Sequence, residues 1–542
     1  MPPVDNAAVA ARLEEYAALL ELAGAGYYTS RAYRRAAATI RALPAPVSEL
    51  VAAGRVRELR GIGPSIEARL RELVETGDIQ ELRELERTLS PELAALGRLH
   101  GFGAKRGAEI GRALGIRTGD ELLAAARAGR LREVPGIGPK VEARILEALE
   151  RGARAEPPRP LLIHRARPLV ESIAAQLGGV AAGDPRRWKD ASSRLAVAVA
   201  ADDPEPVRAH FAALPEIVAL AAPDLGVTVE GVPVQLVVAP PRAFGAALVR
   251  ATGSPEWVAA HEPLPDAPDE EGVFRALGID FVPPELRESA AVSVPGQTPL
   301  LELSQIRGDL HAHTTWSDGR ASVPAMGEAA RVLGHEYLAI CDHSPNVRVV
   351  PGLDADMLRR QGEEIAAANE LLAPFRVLRG LECDIRRDGS LDAPDDVLAE
   401  LEWVQLSLHA GQRLPRRVLT DLVTEAMRHP AVRCLSHPTG RLIGHRPENA
   451  LDLERTFEVA LETGVALEVN GLPDRLDLSG EHVREALSAG VTIVCSTDAH
   501  SVAGLQNLEL SVRTACRGGA TAADVLNTRP VEQVLARPRR VA

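Results

Sequence analysis

Cysteine and lysine are both scarce in this sequence. Its five cysteines have no CxxC spacing and all lie in the C-terminal half: Cys341, Cys383, Cys434, Cys495 and Cys516. Four of them fall within predicted strands, so we expect buried small hydrophobic side chains rather than disulfides or metal ligands. A reducing, cytoplasmic compartment fits this pattern. Arginine supplies nearly all of the basic charge, because the lysines are limited to Lys105, Lys140 and Lys189.

Long apolar runs are also missing. No uninterrupted apolar stretch approaches the roughly 20 residues that a transmembrane helix needs. The start of the sequence lacks the basic-then-apolar pattern of a secretory signal. We therefore expect no membrane partner and no secretory leader.

The net charge of −13 argues against a protein that coats nucleic acid along its whole surface. The charge is unevenly distributed, however. Residues 1–159 contain 25 basic and 22 acidic residues, a net charge of +3, so the remainder carries −16. This asymmetry indicates an N-terminal arm that meets a polyanion.

The length of 542 residues predicts three or four domains, each with its own core.

Histidines and carboxylates recur at the ends of strand-like runs in the C-terminal half. Residues 306–310 read as a strand leading into His311 and His313, whose spacing places both imidazoles on one face. A lone His-x-His pair is weak evidence, because most such pairs are ordinary surface or core histidines. Here Asp318 follows in the next loop, and six further apolar runs end in polar residues: His343, Glu382, His409, His437, Asn470 and Asp498 with His500.

The seven runs alternate with helical stretches such as 356–372 and 418–428. Strand–helix alternation predicts a parallel sheet, and closure into a barrel gathers all strand ends on one face. The candidate ligands are then expected to share one cavity. Histidine and carboxylate side chains suit a hard or borderline divalent cation.

These residues resemble the PHP (polymerase and histidinol phosphatase) superfamily, a distorted (β/α)7 barrel with a metal cluster at its mouth. Nine positions match the pattern of that family without substitution: His311, His313, Asp318, His343, Glu382, His409, His437, Asp498 and His500. The resemblance implies two or three divalent ions, Mn, Zn or Fe, and phosphoester hydrolysis. Such ions polarise the phosphoryl oxygens and stabilise the leaving oxygen.

The resemblance also implies how the ligands are shared. Glu382 would bridge two ions. One ion would be held by His311, His313 and Asp498, and the other by His409 and His437. A third would be held by Asp318, His343 and His500. The catalytic residues implied in this way are Glu382, His311, His313 and Asp498.

Three glycine hairpins in the N-terminal part share a Gly-x-Gly pattern between helical segments. They contain Gly61 and Gly63, then Gly101 and Gly103 followed by Lys105 and Arg106, then Gly136 and Gly138 followed by Lys140. Glycine permits close approach, and free N–H groups at a helix start bind anions. The pattern resembles the helix-hairpin-helix motif, which contacts DNA phosphates without reading sequence. The alternative is a purely structural turn between helices, which the repeated GIGP-x-x-E-A-R segment disfavours.

The middle of the chain reads as mixed α/β after the proline-rich boundary at 157–160. The segments 241–248 and 252–254 resemble the palm of family X DNA polymerases. The domain order is then similar to a bacterial family X polymerase with a C-terminal PHP domain. We predict a helical domain with the first hairpin, a hairpin domain, a palm, a linker and a PHP barrel, at 1–82, 83–156, 160–288, 289–305 and 306–542. Within the barrel, Arg441 is a candidate for binding substrate phosphate.

One departure from the family concerns the palm carboxylates. Three Asp hold the nucleotidyl-transfer metals in family X polymerases, two of them in a D-x-D. Aligned on Gly183, the corresponding positions here are Arg194, Ala196 and Gln235. Two-metal phosphoryl transfer requires oxygen ligands for Mg²⁺, so we expect the palm to have lost polymerase activity.

The sequence therefore favours a DNA-binding, metal-dependent phosphoesterase of repair, of the 3′–5′ exonuclease, abasic-site endonuclease or 3′-phosphatase type. We expect a monomer acting on gapped, nicked or 3′-end-bearing DNA. The alternatives are a repair scaffold with structural metals, an active family X polymerase, and a small-molecule phosphatase. The complete ligand set disfavours the scaffold, and the hairpins disfavour the small-molecule phosphatase.

Overall fold

The chain folds into two compact units, Met1–Ala290 and Ala291–Ala542. The structure, a computed structural model, describes residues 6–41, 43, 46–59, 61–150, 160–289, 299–347 and 350–536. Prolines 157 and 158 of the predicted boundary and residues 290–298 of the predicted linker lie outside the described residues. The finer division of the first unit at 82, 156 and 288 stays a prediction.

The N-terminal part of the first unit is helical. Its core is a cluster of apolar side chains from the first helices, including the fully buried Leu13, Leu19 and Ile40. Tyr16 packs edge-on against Tyr33 with ring centroids 4.9 Å apart. The described helices are α1 (Asn6–Leu22), α2 (Tyr27–Arg41), α3 (Val47–Ala52), α4 (Pro64–Thr76), α5 (Gln80–Thr88), α6 (Pro91–Leu99), α7 (Ala104–Leu114), α8 (Gly119–Arg127) and α9 (Pro139–Glu150).

The rest of the first unit is a mixed α/β palm. The elements of this part are β1 (Leu161–Leu162), α10 (Ile163–Leu177), β2 (Val180–Ala182), β3 (Ala191–Ser192), β4 (Leu195–Ala200), α11 (Pro204–Ala212), β5 (Ala219–Ala222), β6 (Leu225–Val227), β7 (Pro233–Ala239), α12 (Phe244–Thr252), α13 (Pro255–His261) and α14 (Glu270–Leu277). A five-stranded sheet has the order β2-β4-β7-β6-β5, in which β4 and β7 are parallel and the other neighbours antiparallel. Strands β1 and β3 form a separate antiparallel pair.

The second unit is a parallel barrel of seven strands in sequential order, as predicted. Its first and last strands approach through a parallel bridge between Ala312 and Ala499, where the His313 N–H donates to the Ala499 carbonyl at 2.9 Å. The strands are β8 (Gly308–Ala312), β9 (Tyr337–Ile340), β10 (Arg376–Asp384), β11 (Trp403–Ser407), β12 (Val432–Leu435), β13 (Ala466–Asn470) and β14 (Ile493–Ser496).

Helices cover the outside of this barrel and bury its apolar strand faces. They are α15 (Val323–Val332), α16 (Ala355–Leu372), α17 (Asp395–Ala399), α18 (Arg416–Met427), α19 (Leu453–Thr463), α20 (Gly480–Ser488), α21 (Leu508–Arg517) and α22 (Val531–Leu535). All five cysteines are free and buried in this unit, which confirms the expectation that they act as small apolar side chains.

The fold class predicted from the sequence is confirmed: helical hairpin repeats, an α/β palm and a distorted (β/α)7 barrel. No helix in the described part of the chain combines the length and the apolar character needed to span a bilayer. Because all seven barrel strands run the same way, their carboxyl ends meet at one mouth, and the candidate ligands lie there.

Candidate metal centre

Glu382 lies at the middle of the barrel mouth and its two carboxylate oxygens face different histidines. It comes from the long, fully buried end of β10. Oε1 lies 2.9 Å from Nε2 of His437 and 3.5 Å from Nε2 of His409. Oε2 lies 2.8 Å from Nδ1 of His343 and 3.7 Å from Nε2 of His311. A carboxylate with this geometry has one oxygen for each of two neighbouring cations.

His311, His313 and Asp498 form a second part of the cluster. Nε2 of His313 lies 3.1 Å from Nε2 of His311 and 3.0 Å from Oδ1 of Asp498. Two imidazole nitrogens at this separation hold at most one proton between them. A tetrahedral ion with bonds of about 2.0–2.1 Å places its ligand atoms roughly 3.3 Å apart. The donor set therefore fits a divalent cation.

Asp318, His343 and His500 form the third part. Nε2 of His500 is 3.2 Å, and Nε2 of His343 is 3.5 Å, from the Asp318 carboxylate. His313 stacks on His500 with ring centroids 4.2 Å apart, and its Nδ1 is buried without a hydrogen-bond partner among the described residues. These four side chains offer ligand atoms that all lie within 4.8 Å of one another. All nine positions predicted from the sequence thus lie in one site.

The electrostatics of the site keep its carboxylates ionised. Burial raises the pKa of Glu382, but the charges of His409 and His343 outweigh burial and hold that pKa well below its ordinary value. Burial lowers the pKa of His343, yet Glu382 and Asp318 raise it to about 10. Without metal, the negative charge is thus balanced by protons on histidine. Cation binding displaces such protons, which is the usual coupling at a metal site.

Glu468 is a buried carboxylate of this region that does not stand at a strand end, so the strand-end pattern does not identify it. It lies in the interior of β13, and its Oε1 is 2.7 Å from Nδ1 of His311. Ser436, Ser496 and Gln405 donate hydrogen bonds to the same carboxylate. The signal available in the sequence was its i, i+2 spacing from Asn470, which places both side chains on one face of the strand.

Three more buried aspartates hold the backbone that carries the ligands. Asp384 accepts the His409 N–H at 2.8 Å. Asp342 accepts the Thr314 N–H at 2.8 Å, and Asp309 accepts the His311 and Thr497 N–H groups at 3.2 Å each. Hydrogen bonds of this kind, made behind the ligating residues, fix the orientation of the side chains that contact the metal.

Backbone strain is concentrated at this mouth. Four non-glycine residues in the described part of the chain have positive φ, and three belong to this region: His437 at 25°, Leu476 at 45° and Asp498 at 53°. Left-handed backbone is costly for such residues and persists where surrounding contacts enforce it. Strain at two of the nine positions is typical of a functional site.

Arg441 lies in the loop that follows His437, and two of its donors are engaged by the protein. Its Nε donates to the Arg475 carbonyl at 2.8 Å, and Nη2 donates to the Leu476 carbonyl. Its predicted role in phosphate binding stays a prediction.

The first and third hairpins share one geometry. Gly61 and Gly136 both have φ of +81°, and the residue after each donates back across the turn, at 3.2 Å in the first hairpin and 3.0 Å in the third. In the third hairpin, the Val141 and Glu142 N–H groups bond to the Gly138 carbonyl. A Cβ built on Gly63 or Gly138 meets no atom within 4 Å, so the surface there is open to a ligand.

The second hairpin differs. Its Gly103 has φ of +93° and donates its N–H to the Gly97 carbonyl at 2.7 Å. Gly97 is packed so closely that an added Cβ would lie 2.5 Å from the Gly103 oxygen. The Gly103 N–H is therefore bonded within the protein, whereas the common pattern would leave it free to bind a phosphate.

The palm positions aligned with the polymerase carboxylates lie side by side. Ala196 on β4 is in direct register with Gln235 on β7, and Arg194 immediately precedes β4. None of the five described strands of this sheet carries an acidic residue. The Gln235 amide donates to the carbonyls of Asp224 and Leu236.

Comparison with known proteins agrees with this arrangement. A helix-hairpin-helix domain family matches residues 4–79, and a SAM-like helix-hairpin-helix tandem family matches residues 108–151. These matches contain the first and third hairpins and support DNA binding. Similarity to probable phosphatases covers the C-terminal part. One from Acetivibrio thermocellus is 29% identical over 35% of this chain and 78% of its own length, and one from Shewanella oneidensis is 26% identical over 35% and 75%.

The barrel and the cluster at its mouth define a domain of the PHP class. Over the full length, the chain is 33% identical to the DNA polymerase/3′-5′ exonuclease PolX of Bacillus subtilis, covering 96% of this chain and 97% of that protein. The chain therefore belongs to the PolX family, the family X DNA polymerases that carry a PHP domain.

Proposed function

We propose that this protein is a DNA-binding, metal-dependent phosphoesterase of DNA repair that hydrolyses phosphoesters at DNA 3′ ends or abasic sites. Its palm no longer polymerises. The observation that carries the proposal is the convergence of nine histidine and carboxylate side chains around Glu382, whose two oxygens face different histidines. The hairpins in the same chain supply the reason for a DNA substrate.

The residues of the centre divide into three sets of ligands. His311, His313 and Asp498 would hold one divalent ion, and His409 and His437 another, with Glu382 shared between them. Asp318, His343 and His500 would hold a third. Mn, Zn and Fe all accept imidazole and carboxylate ligands. When bound, such ions supply Lewis-acid polarisation of the phosphoryl group and charge for the leaving oxygen.

The protein's own contribution is to fix this geometry before substrate arrives. Glu468 holds the His311 ring by its Nδ1, so Nε2 faces the centre. Asp384 holds the backbone of His409. Ligands held in place in this way need no rearrangement when substrate binds, so the geometry of the centre is set in advance.

The first and third hairpins would bring the DNA backbone to the protein. The open surface at Gly63 and Gly138 admits a phosphate to the backbone N–H groups, and Lys140 stands at the start of the following helix. In the second hairpin, Lys105 and Arg106 would add side-chain contacts to phosphate. Contacts of this type give salt-dependent affinity without base recognition. The protein would act as a monomer on gapped, nicked or 3′-end-bearing DNA.

Loss of polymerase activity rests on the palm. Ala196 and Gln235 occupy neighbouring positions where carboxylates are needed, and the basic residues after Gly183 are committed elsewhere. Arg186 forms a paired contact with Glu270 at 2.6 and 2.8 Å, and Arg187 is buried against Asp184 and Glu288. We propose that the palm serves as a spacer or as a platform that positions DNA.

The other functions are less well supported. A scaffold with structural metals would need closed coordination, whereas His409 and His500 remain 20% and 32% exposed at the mouth. A small-molecule phosphatase is disfavoured because a small substrate does not explain the presence of the helix-hairpin-helix motifs. An active polymerase is disfavoured because the palm of this chain lacks the carboxylates that would hold the metals of nucleotidyl transfer.

The direct test is to incubate the purified full chain and Mn²⁺ with three DNAs: a primer–template, an abasic-site duplex and a 3′-phosphate duplex. The proposal predicts metal-dependent hydrolysis of at least one of them, abolished by a chelator and restored by Mn²⁺. Absence of hydrolysis on all three, with metal bound, would favour the scaffold.

A further inference from the structure

We propose that Arg475, with Arg446 beside it, binds the phosphoryl group of the substrate at the metal centre; this rests on the proposed phosphoesterase function. Arg475 lies in the loop 471–479 after β13, and its Nε is 3.9 Å from Oδ2 of Asp498. Its side chain is 17% exposed, and its Nη1 is buried without a hydrogen-bond partner among the described residues. The guanidinium of Arg475 therefore lies beside the metal centre, and its Nη1 is available to donate a hydrogen bond to a ligand.

Arg446 places a second positive charge near the first. Its Nε donates to the Gly440 carbonyl at 2.8 Å, which ties it to the loop that follows His437. Burial and the neighbouring charge of Arg475 both lower the pKa of Arg446, and Asp477 acts in the opposite direction. Like charges held together are unfavourable in the free protein. A bound anion would remove that cost.

The loop that carries Arg475 is fixed by the opposite loop. Arg441 donates to the carbonyls of Arg475 and Leu476, and the Ile443 N–H donates to the Asp474 carbonyl at 2.7 Å. Leu476 is held at a positive φ of 45° within this contact. Arg441 thus positions the backbone of Arg475, whose guanidinium lies next to the Asp498 carboxylate.

A phosphoryl group is the anion that fits. The centre contains several ionised carboxylates, so a phosphate approaching it is repelled unless positive charge meets it. Divalent cations held by the ligands would supply part of that charge. A planar guanidinium can bind two non-bridging oxygens together, which an ammonium group does not do. A DNA phosphodiester and a terminal 3′-phosphate share this chemistry.

The alternative is that Arg475 only balances the charge of Asp498. Then its replacement would alter metal content or folding and not phosphate binding as such. Arg475→Gln keeps a polar side chain but removes the charge, whereas Arg475→Lys keeps the charge and removes the paired donors. Arg417→Gln is the matched control, because the Arg417 side chain is 92% exposed on α18.

The experiment measures binding of inorganic phosphate to the Mn²⁺-loaded full chain by calorimetry, together with metal content and with KM and kcat on a 3′-phosphorylated oligonucleotide. We expect Arg475→Gln to weaken phosphate binding by roughly tenfold or more at unchanged metal content, and to raise KM. Arg475→Lys should recover part of this loss, and Arg417→Gln should match the wild type.

The proposal would be overturned if Arg475→Gln bound phosphate with wild-type affinity. It would also be overturned if loss of metal from this variant explained all of the weakening of phosphate binding. If Arg475→Gln does not fold, Arg446→Gln is measured in its place and must weaken phosphate binding. Phosphate binding by the wild type without hydrolysis of any DNA would count against the proposed function and leave this inference standing. No phosphate binding by the wild type would refute the inference itself.

Discussion

Nδ1 of His311 lies 2.7 Å from Oε1 of Glu468, and both side chains are completely buried. The carboxylate fixes which ring nitrogen of His311 carries the proton, so its Nε2 faces Glu382 and Asp498. Because Ser436, Ser496 and Gln405 also donate to Glu468, this carboxylate is held in one position. The relationship makes Glu468 a positioning residue for the metal centre.

Glu468→Gln should therefore weaken metal binding. Loss of a carboxylate behind a ligating histidine typically costs roughly 10–100-fold in metal affinity or activity. The measurement is a competition titration of Mn²⁺ with a chelator, compared with Glu462→Gln on the exposed surface of α19. Equal affinity in the two variants would show that Glu468 does not position His311.

Gly138→Ala should reduce DNA affinity without affecting stability. The added methyl group meets no protein atom within 4 Å, and Gly138 does not have a positive φ. It would, however, stand between the backbone N–H groups and an incoming phosphate. We expect a loss of several-fold in affinity that is independent of DNA sequence, measured by fluorescence anisotropy at several salt concentrations.

The matched control for that variant is Gly26→Ala. Gly26 is also exposed, lacks a positive φ and has open space around its Cβ position, but it lies outside the hairpins. Gly136→Ala is less suitable, because its φ of +81° would strain an alanine. If Gly138→Ala and Gly26→Ala bind DNA equally well, the third hairpin is only a turn between helices.

The full chain should not extend a primer on a template with dNTPs, in Mg²⁺ or in Mn²⁺. The neighbouring positions Ala196 and Gln235 provide no carboxylate for the metals of nucleotidyl transfer. The measurement is primer extension across a gel-filtration profile. Extension that follows the protein peak and disappears in Gln235→Lys would contradict the palm assignment, whereas extension unaffected by that substitution would mark a contaminating polymerase.

Glu230 should make the first unit sensitive to acid. Burial raises the pKa of Glu230, but Arg165 and Arg34 outweigh burial and bring it to about 2. The contacts are 2.8 Å to Arg165 and 2.6 Å to Arg34. A depressed carboxyl pKa contributes stability above the unfolded pKa, near 4.5. That contribution, about 3 kcal/mol, is lost as the pH falls towards 2.

Hydrogen exchange of α2 and of the β6–β7 segment in the full chain measures this contribution. Glu230→Gln should speed exchange in both segments at pH 7 and remove its dependence on pH below 4.5. Glu58→Gln is the control, because Glu58 forms a surface pair with Arg55 in which both side chains are about 60% exposed. A Glu230→Gln variant that exchanges like the control would show that the two arginines do not stabilise this contact.

Much of the barrel could be predicted from the sequence, because its apolar strand-like runs end in histidine or carboxylate side chains. The runs at 337–343 and 403–409 are apolar and close on a histidine, so both their strand character and their position at the mouth could be predicted. In the palm, β4 (Leu195–Ala200) is likewise an uninterrupted apolar run, which favours a buried strand.

Other parts of the site depend on register and loop geometry that the sequence does not reveal. Glu468 is enclosed in a strand, and only the pairing of β13 with β12 and β14 brings it to His311. Arg475 belongs to a loop whose course depends on contacts with the opposite loop, so the sequence pointed to Arg441 instead. The second hairpin has the Gly-x-Gly pattern, yet its packing at Gly97 redirects the Gly103 N–H.

Metal content and hydrolysis of Glu382→Gln test the bridging role of Glu382 directly. The substitution keeps the side-chain volume and removes a negative charge where several cations crowd together, so repulsion between the ions should expel metal. His409→Gln, which removes one ligand of one ion, serves as the comparison, and Glu462→Gln as the surface control. Metal is counted by mass spectrometry, and hydrolysis is followed on the DNA that the wild type cleaves.

We predict that Glu382→Gln loses more than one equivalent of metal per chain and its hydrolytic activity, while DNA affinity stays at the wild-type value. His409→Gln should lose at most one equivalent. Full metal content and an unchanged rate in Glu382→Gln would contradict the bridging role. The chemistry would then have to be assigned to His311, His313 and Asp498.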